Sequence, residues 1–403
     1  MAVHLVIVHM VGAVVGGDSG FGPDRMGFWG RWWGPVLIGA ALLVAVAWSV
    51  CTRWLHARDA AGAVWVQVTP PAALPSDAAV RFARSLAGVL HRTRRYPWRV
   101  RSVACEFVAT DAGVRLGVWV PPAIAPRAVA EAVTGAWPGA LVTVTAPPTL
   151  TGAGGVCGRE VCPRGGPWSP VTDPSARAVA RPEGVDPLGQ VLTALAERPA
   201  REVGIVQVIV AAQRATDGIV RPTLRLLLDG AASLMTEVGR ELMSDGKSGR
   251  APRPTTPVDP VQAQRAREIV AKKASGPHLR VTVRAAVSGP VPARYRRQAA
   301  GWIANGYDAV ATAGNGLTGH RTRGAARKVS LRRPGTVFAA TVGELGALWH
   351  IPADAAVYGI DTTTARWHDP RRDLPRLATP PRHPDVGHGR SGENNRHEGE
   401  ADR

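Results

Sequence analysis

Lysine is almost missing from this chain. Of its 49 basic residues only Lys247, Lys272, Lys273 and Lys328 are lysines, and the rest are arginines. Arginine in place of lysine, with abundant Ala, Gly and Val, is the residue usage of a GC-rich genome, so codon drift explains part of the formal charge of +18. A phosphate loop is also missing: nowhere does Gly-x-x-x-x-Gly-Lys-Ser/Thr set a helix N-terminus and a lysine around nucleotide phosphates. Gly314-Asn-Gly316-Leu-Thr-Gly319 matches Gly-x-Gly-x-x-Gly, but it follows a helical pattern and opens onto arginines, so it reads as a flexible loop. There is no Gly-x-Ser-x-Gly, no His-Glu-x-x-His and no carboxylate pair on one periodic face. His91 and His350 stand alone and read as helix-end or surface histidines, while His368, His383, His388 and His397 lie in or near a polar tail. Cysteine is sparse. Cys51, Cys105, Cys157 and Cys162 make no disulfide framework, and Cys157 and Cys162 lack the further ligands that zinc needs. These absences exclude the common hydrolases and P-loop motors. The chain reads as non-enzymatic, with no cofactor and no metal.

What is present begins with an uncharged run from Trp32 to Cys51. A helix rising ~1.5 Å per residue needs about 20 apolar residues to cross the hydrocarbon core, and this run reaches that length. Trp29, Trp32 and Trp33 at one end and Trp48 and Trp54 at the other read as membrane-interface residues. The expectation is a single-pass membrane protein with a transmembrane helix over 32–58. Arg25 and Arg31 before the span nearly balance Arg53 and Arg58 after it, and the Arg-rich body places the C-terminal part in the cytoplasm. A second apolar run, Val3 to Val15, is short for a span and makes a poor signal peptide.

Beyond the run the pattern predicts an α+β fold. Val64 to Val68 alternates as a strand, Val80, Phe82, Leu86 and Leu90 hold a helical period, and Val100 to Thr110 with Val114 to Val120 reads as a hairpin. A helix from Pro126 and a strand at Leu141 to Thr145 complete β-α-β-β-α-β, the ferredoxin-like order, over 62–148. Residues 149–186 read as a Gly/Pro-rich linker. A second α/β module over 187–365 carries helices near 188–197, 223–243, 261–275 and 293–311, with strands at 203–210, 278–287 and 336–341. Its order repeats that of the first module, which raises an internal duplication. Residues 366–403 read as a disordered polar tail, after an N-terminal segment over 1–31 of open role.

Two basic clusters stand out. Arg92, Arg94, Arg95, Arg99 and Arg101 close an acid-free stretch interleaved with Tyr96 and Trp98, and Arg294, Arg296 and Arg297 lie in a second stretch whose one acid is Asp308. Arginines that neutralise phosphates, beside aromatics that stack on bases, suit sequence-independent nucleic-acid contact. A solvated basic surface and an anionic lipid surface suit the same residues.

Several segments then resemble a known family. They are Trp-Val-Gln-Val-Thr-Pro-Pro, the helix end Leu-His-Arg-Thr, the hairpin Phe-Val-Ala-Thr-Asp-Ala-Gly-Val-Arg-Leu-Gly-Val-Trp-Val-Pro, and Ala-Val-Thr-Gly-Ala-Trp-Pro-Gly-Ala before a Val-Thr-Val strand. Together with Glu344-Leu-Gly-Ala-Leu-Trp-His-Ile-Pro352, they are similar to the pre-motor region of actinobacterial TraG/VirD4/HerA-like conjugative-transfer ATPases, some labelled type IV or type VI secretion proteins. The resemblance covers roughly 35–375 and stops before a motor domain, so it carries over no catalytic residue. It implies a membrane-anchored platform component of a DNA-transfer or secretion machine. The partners it implies are the membrane, other machine subunits including a separate ATPase, DNA, and further copies or subunits in an oligomer. The alternatives are a membrane-tethered nucleic-acid-binding protein or motorless relative of a transfer ATPase, and a structural membrane protein unrelated to DNA.

Overall fold

The structure, a computed structural model, describes residue 43 and residues 46–93, 99–149, 154–172, 186–199, 201–213, 260–311 and 316–363. Their strands make one mixed-length, antiparallel sheet: β1 (Val64–Thr69), β2 (Ser102–Thr110), β3 (Gly113–Val120), β4 (Leu141–Thr145), β5 (Val156–Pro163), β6 (Val203–Ala212), β7 (Leu279–Ser288), β8 (Leu317–Arg321) and β9 (Phe338–Ala340). The order across the sheet is β4-β1-β3-β2-β6-β7-β5-β8, with β9 on β7. The helices are α1 (Ala78–Arg92), α2 (Pro126–Ala136), α3 (Gly189–Ala196), α4 (Pro260–Ala274), α5 (Ala293–Asn305), α6 (Ala325–Ser330) and α7 (Val342–Leu348).

The first half runs β1-α1-β2-β3-α2-β4 and the second, apart from α4, runs β5-α3-β6-β7-α5-β8. Their strand orders are β4-β1-β3-β2 and β8-β5-β7-β6, so corresponding strands take corresponding places. The halves meet where β2 pairs antiparallel with β6, from Ser102 opposite Ala211 to Ala109 opposite Gly204. A half turn about an axis normal to the sheet at this seam therefore carries one half's topology onto the other's. The repeat is complete only when β5 is counted, and β5 lies within the stretch expected as a linker.

Period-two alternation divides the side chains between two faces. Val103, Cys105, Phe107, Val206, Val208, Val281, Val283 and Ala285 face the layer of α1, α2, α3, α5 and α7 in one hydrophobic core. There Phe82, Trp137, Trp349 and Phe107 cluster with ring centroids 5.1–6.1 Å apart, which seats α7 against the first half. Thr341 and Glu344 cap α7 reciprocally. On the opposite face Trp65, Trp119, Ala104 and Ile209 pack with Ala63, and α6 supplies Val329 against Val108, Ile205 and Ala286. Gly117 allows this face to close, since a Cβ there would lie 2.6 Å from the Trp65 ring.

Helical residues 46–61 lead into β1. Asp59, fully buried, accepts from the Val100 backbone N–H at 2.7 Å and from Arg99 at 3.1 Å, which ties the helix to the start of β2. Leu43, Val46, Val50 and Trp54, spaced as one helical face, are 57–72% exposed. Of the transmembrane helix expected at 32–58, residues 32–42, 44 and 45 lie outside the described residues with Trp29, Trp32 and Trp33, as do the helix expected at 223–243 and the tail. No helix among the described residues is long and apolar enough to cross a membrane.

Two local expectations change. The segment around Gly319, expected as a flexible loop, is strand β8, paired with β5 from Arg321 opposite Arg159 to Leu317 opposite Pro163. His350 is the helix-end histidine of the two expected alternatives and not a surface one: it follows the C-cap of α7 and is 2% exposed, with one ring nitrogen at 2.9 Å from Asp186 and the other at 3.1 Å from the Gly346 carbonyl.

Candidate functional site: a basic cleft beside a buried polar row

A row of polar residues crosses the sheet on the face away from the main helix layer. Glu106 of β2 pairs with Gln207 of β6, Gln207 with Arg284 of β7, and Arg284 with Glu160 of β5. Gln207 Nε2 donates to Glu106 Oε1 at 2.8 Å, Arg284 Nη1 donates to Gln207 Oε1 at 3.2 Å, and Arg284 Nη2 donates to Glu160 Oε1 at 3.1 Å. The segment after α6 closes over the row. Arg332 grips Glu106 at 3.0 and 3.3 Å, and the Thr336 N–H and hydroxyl donate to Glu160 at 2.7 and 2.9 Å. Burial works against the Glu160 charge. The Thr336 N–H, then Arg284 and the Thr336 hydroxyl, outweigh it and hold the carboxyl at about 2.

One end of this face opens into a cleft of about 480 Å³. Its floor is the sheet: Ser102, Ile209, Ala211, Arg280 and Thr282 occupy neighbouring rows on β2, β6 and β7. Its walls are His56 of the 46–61 helix, His91 at the end of α1, Arg99 and Arg101 leading into β2, and Pro334 with Val337 beyond the polar row. Among the described residues three arginines and two histidines line it, and no carboxylate does. His91 Nδ1 donates to the Ala87 carbonyl at 2.7 Å, leaving Nε2 to meet a ligand. The Thr282 hydroxyl and His56 Nδ1 are both buried without a hydrogen-bond partner.

The sequence-predicted arginines divide. Arg99 and Arg101 line the cleft, and Arg92 is exposed on the last turn of α1. Arg94 and Arg95 lie outside the described residues. Arg294, Arg296 and Arg297 sit on the first turn of α5, past the far end of β7. Arg280 and Ser288 alone are separated by eight strand positions, about 26 Å. Arg296 is tied down, donating to the Gly289 carbonyl at 2.8 Å and to that of Val291, whereas Arg294 stacks on Tyr295. The fold thus keeps Arg294, Arg296 and Arg297 away from the first cluster, while Arg280 of the same stretch joins Arg99 and Arg101 at the cleft. Of the expected membrane-interface tryptophans, Trp48 and Trp54 are 57% and 60% exposed. Sequence reasoning left out His56 and Thr282, and held Arg280 only as one arginine of the second basic stretch, 277–333. The signal for the last two was the strand Leu-Arg-Val-Thr-Val-Arg, whose alternation puts Arg280, Thr282 and Arg284 on one face.

Among the described residues no three His, Cys, Asp or Glu side chains gather as a metal site requires. Compared with known proteins, the chain matches no protein family, no curated protein and no solved structure.

Proposed function

We propose that this chain is a non-catalytic, membrane-anchored platform component of a conjugative DNA-transfer or secretion machine, built from two ferredoxin-like halves on one transmembrane helix. The observation that carries the reading is the helix over 46–61. Its exposed apolar face continues from the uncharged run, and its last turn is locked into the sheet by the buried Asp59. Such a connection fixes a folded body against a bilayer. The split β-α-β order and the β4-β1-β3-β2 arrangement support the ferredoxin-like assignment of the first half, and the repeat extends it to the second. The resemblance to pre-motor regions supports the machine, with ATP hydrolysis supplied by a separate subunit.

Deleting the gene from a donor strain should lower conjugative transfer or secretion by orders of magnitude, with recovery on complementation. Unchanged transfer and secretion would refute the reading. Carbonate washing of membranes should leave the full-length chain in the pellet, and its release would remove the anchor.

A further inference from the structure

The cleft has the makings of a ligand site independent of any machine partner. Among the described residues, three arginines and two histidines converge on it from four separate parts of the chain, and no acid lines it. Asp59, the ion-pair partner of the lining Arg99, is fully buried and already accepts from Val100 and Arg99. Thr282 sits on the floor at 1% exposure with a hydroxyl that meets no acceptor, and His56 Nδ1 is likewise unpartnered. Polar atoms buried in this state are uncommon in folded proteins unless a ligand or water completes them.

We propose that the cleft binds a phosphoryl group, carried by inorganic phosphate or by the headgroup of an anionic phospholipid. Its volume falls in the range of small-ligand sites, so it encloses one compact anion rather than a run of backbone phosphates. A carboxylate brings one negative charge, whereas a phosphate monoester brings up to two and three acceptor oxygens, which suits three guanidinium groups. Burial, then Arg333, lowers the pKa of His56, which meets a ligand as a neutral imidazole. The headgroup source rests on the membrane reading. His56 lies five residues past Cys51, about 7.5 Å along a helix, which is headgroup height if the apolar run spans the bilayer. The inorganic source does not need that reading.

The test uses the full chain, in detergent with inorganic phosphate and in nanodiscs of phosphatidylcholine with or without phosphatidic acid. Binding is measured by calorimetry and by the phosphorus resonance of the ligand. Saturable binding of inorganic phosphate, or retention of phosphatidic acid over phosphatidylcholine, is expected, and which arm responds identifies the source. Arg280→Gln and Thr282→Val should each weaken it about tenfold. Thr282→Val removes an unpartnered hydroxyl from the floor, so its melting temperature should stay level or rise while affinity falls. A merely structural threonine would not separate these two readouts. Absence of saturable binding in both arms, binding indifferent to both substitutions, or binding to a single-stranded oligonucleotide alone would overturn the proposal. Phosphate binding by a chain that carbonate releases from membranes would uphold the site while removing the anchor.

Discussion

Glu160 shows how one side chain couples stability to acidity. Its folded carboxyl titrates at about 2 against an ordinary 4.5, so its contribution is fully present above 4.5 and is lost as pH falls from 4.5 towards 2. The difference corresponds to about 3 kcal/mol. Glu160→Gln should therefore flatten the fall in unfolding free energy over that window, measured by urea titration at a series of pH values. Equal slopes for the two proteins would show that other carboxylates control acid sensitivity. Removing this charge also leaves Arg284 short of a partner, with a cost of roughly 3–5 kcal/mol near neutral pH. Gly335 belongs to the same arrangement, because a Cβ there would run into the Glu160 carboxylate. Gly335→Ala should destabilise by about 1–3 kcal/mol in thermal or chemical denaturation, as overpacking of a closed site does. An unchanged melting temperature would mean that the loop moves aside without cost.

At the scale of elements, Asp59 ties the 46–61 helix to the start of β2. Asp59→Ala leaves the buried Val100 N–H without its acceptor and frees Arg99 from its ion pair, a loss of about 1–3 kcal/mol. Hydrogen exchange should show the Val100 amide opening faster, with the centre of β2 unchanged. Protection lost across the whole sheet would instead make Asp59 a determinant of global folding. Elements whose alternation or helical period is unbroken were legible in the sequence: Leu141–Thr145 was expected with its observed bounds, and β1, β3, β6, β7, α1 and α2 were off by a residue or two at most ends. β5 and β8 were not. Val-Cys-Gly-Arg-Glu-Val-Cys-Pro places Glu160 where an apolar residue would normally mark a buried face, because the charge is neutralised by Arg284 from a strand distant in sequence. β8 carries Gly319 and His320 on an edge of the sheet, where little burial shapes the pattern. The cleft was half legible for the same reason. Arg99 and Arg101 lie within one basic run, whereas Arg280 and His56 join them only through the tertiary fold.

For the whole molecule, the seam makes the halves interdependent. A fragment over 62–149 would leave the edge of β2 open and strip Glu106 of both Gln207 and Arg332, while a fragment over 154–363 would expose β6 in the same way. Each alone should aggregate or remain partly unfolded, and the two co-expressed should associate. Trp349 packs between Phe82, Phe107 and Trp137 of the other half, so tryptophan emission should shift to the blue on association. An independently stable 62–149 fragment with a cooperative melt would show instead that the seam only joins finished domains.

The polar row also imposes an order of events during synthesis. Glu106 meets its final partner in Arg332, 226 residues later, and Glu160 waits for Thr336. At roughly 5–20 residues per second a ribosome needs on the order of ten seconds or more to make the intervening chain. Throughout that interval Glu106 lacks Arg332, and until β6 is made the edge of β2 is open as well. A nascent chain arrested near residue 330 should therefore be recognised by chaperones and cut by added protease between β2 and β6, and one arrested well beyond 363 should resist. The segment after α6 completes the first half of the sheet as much as the second.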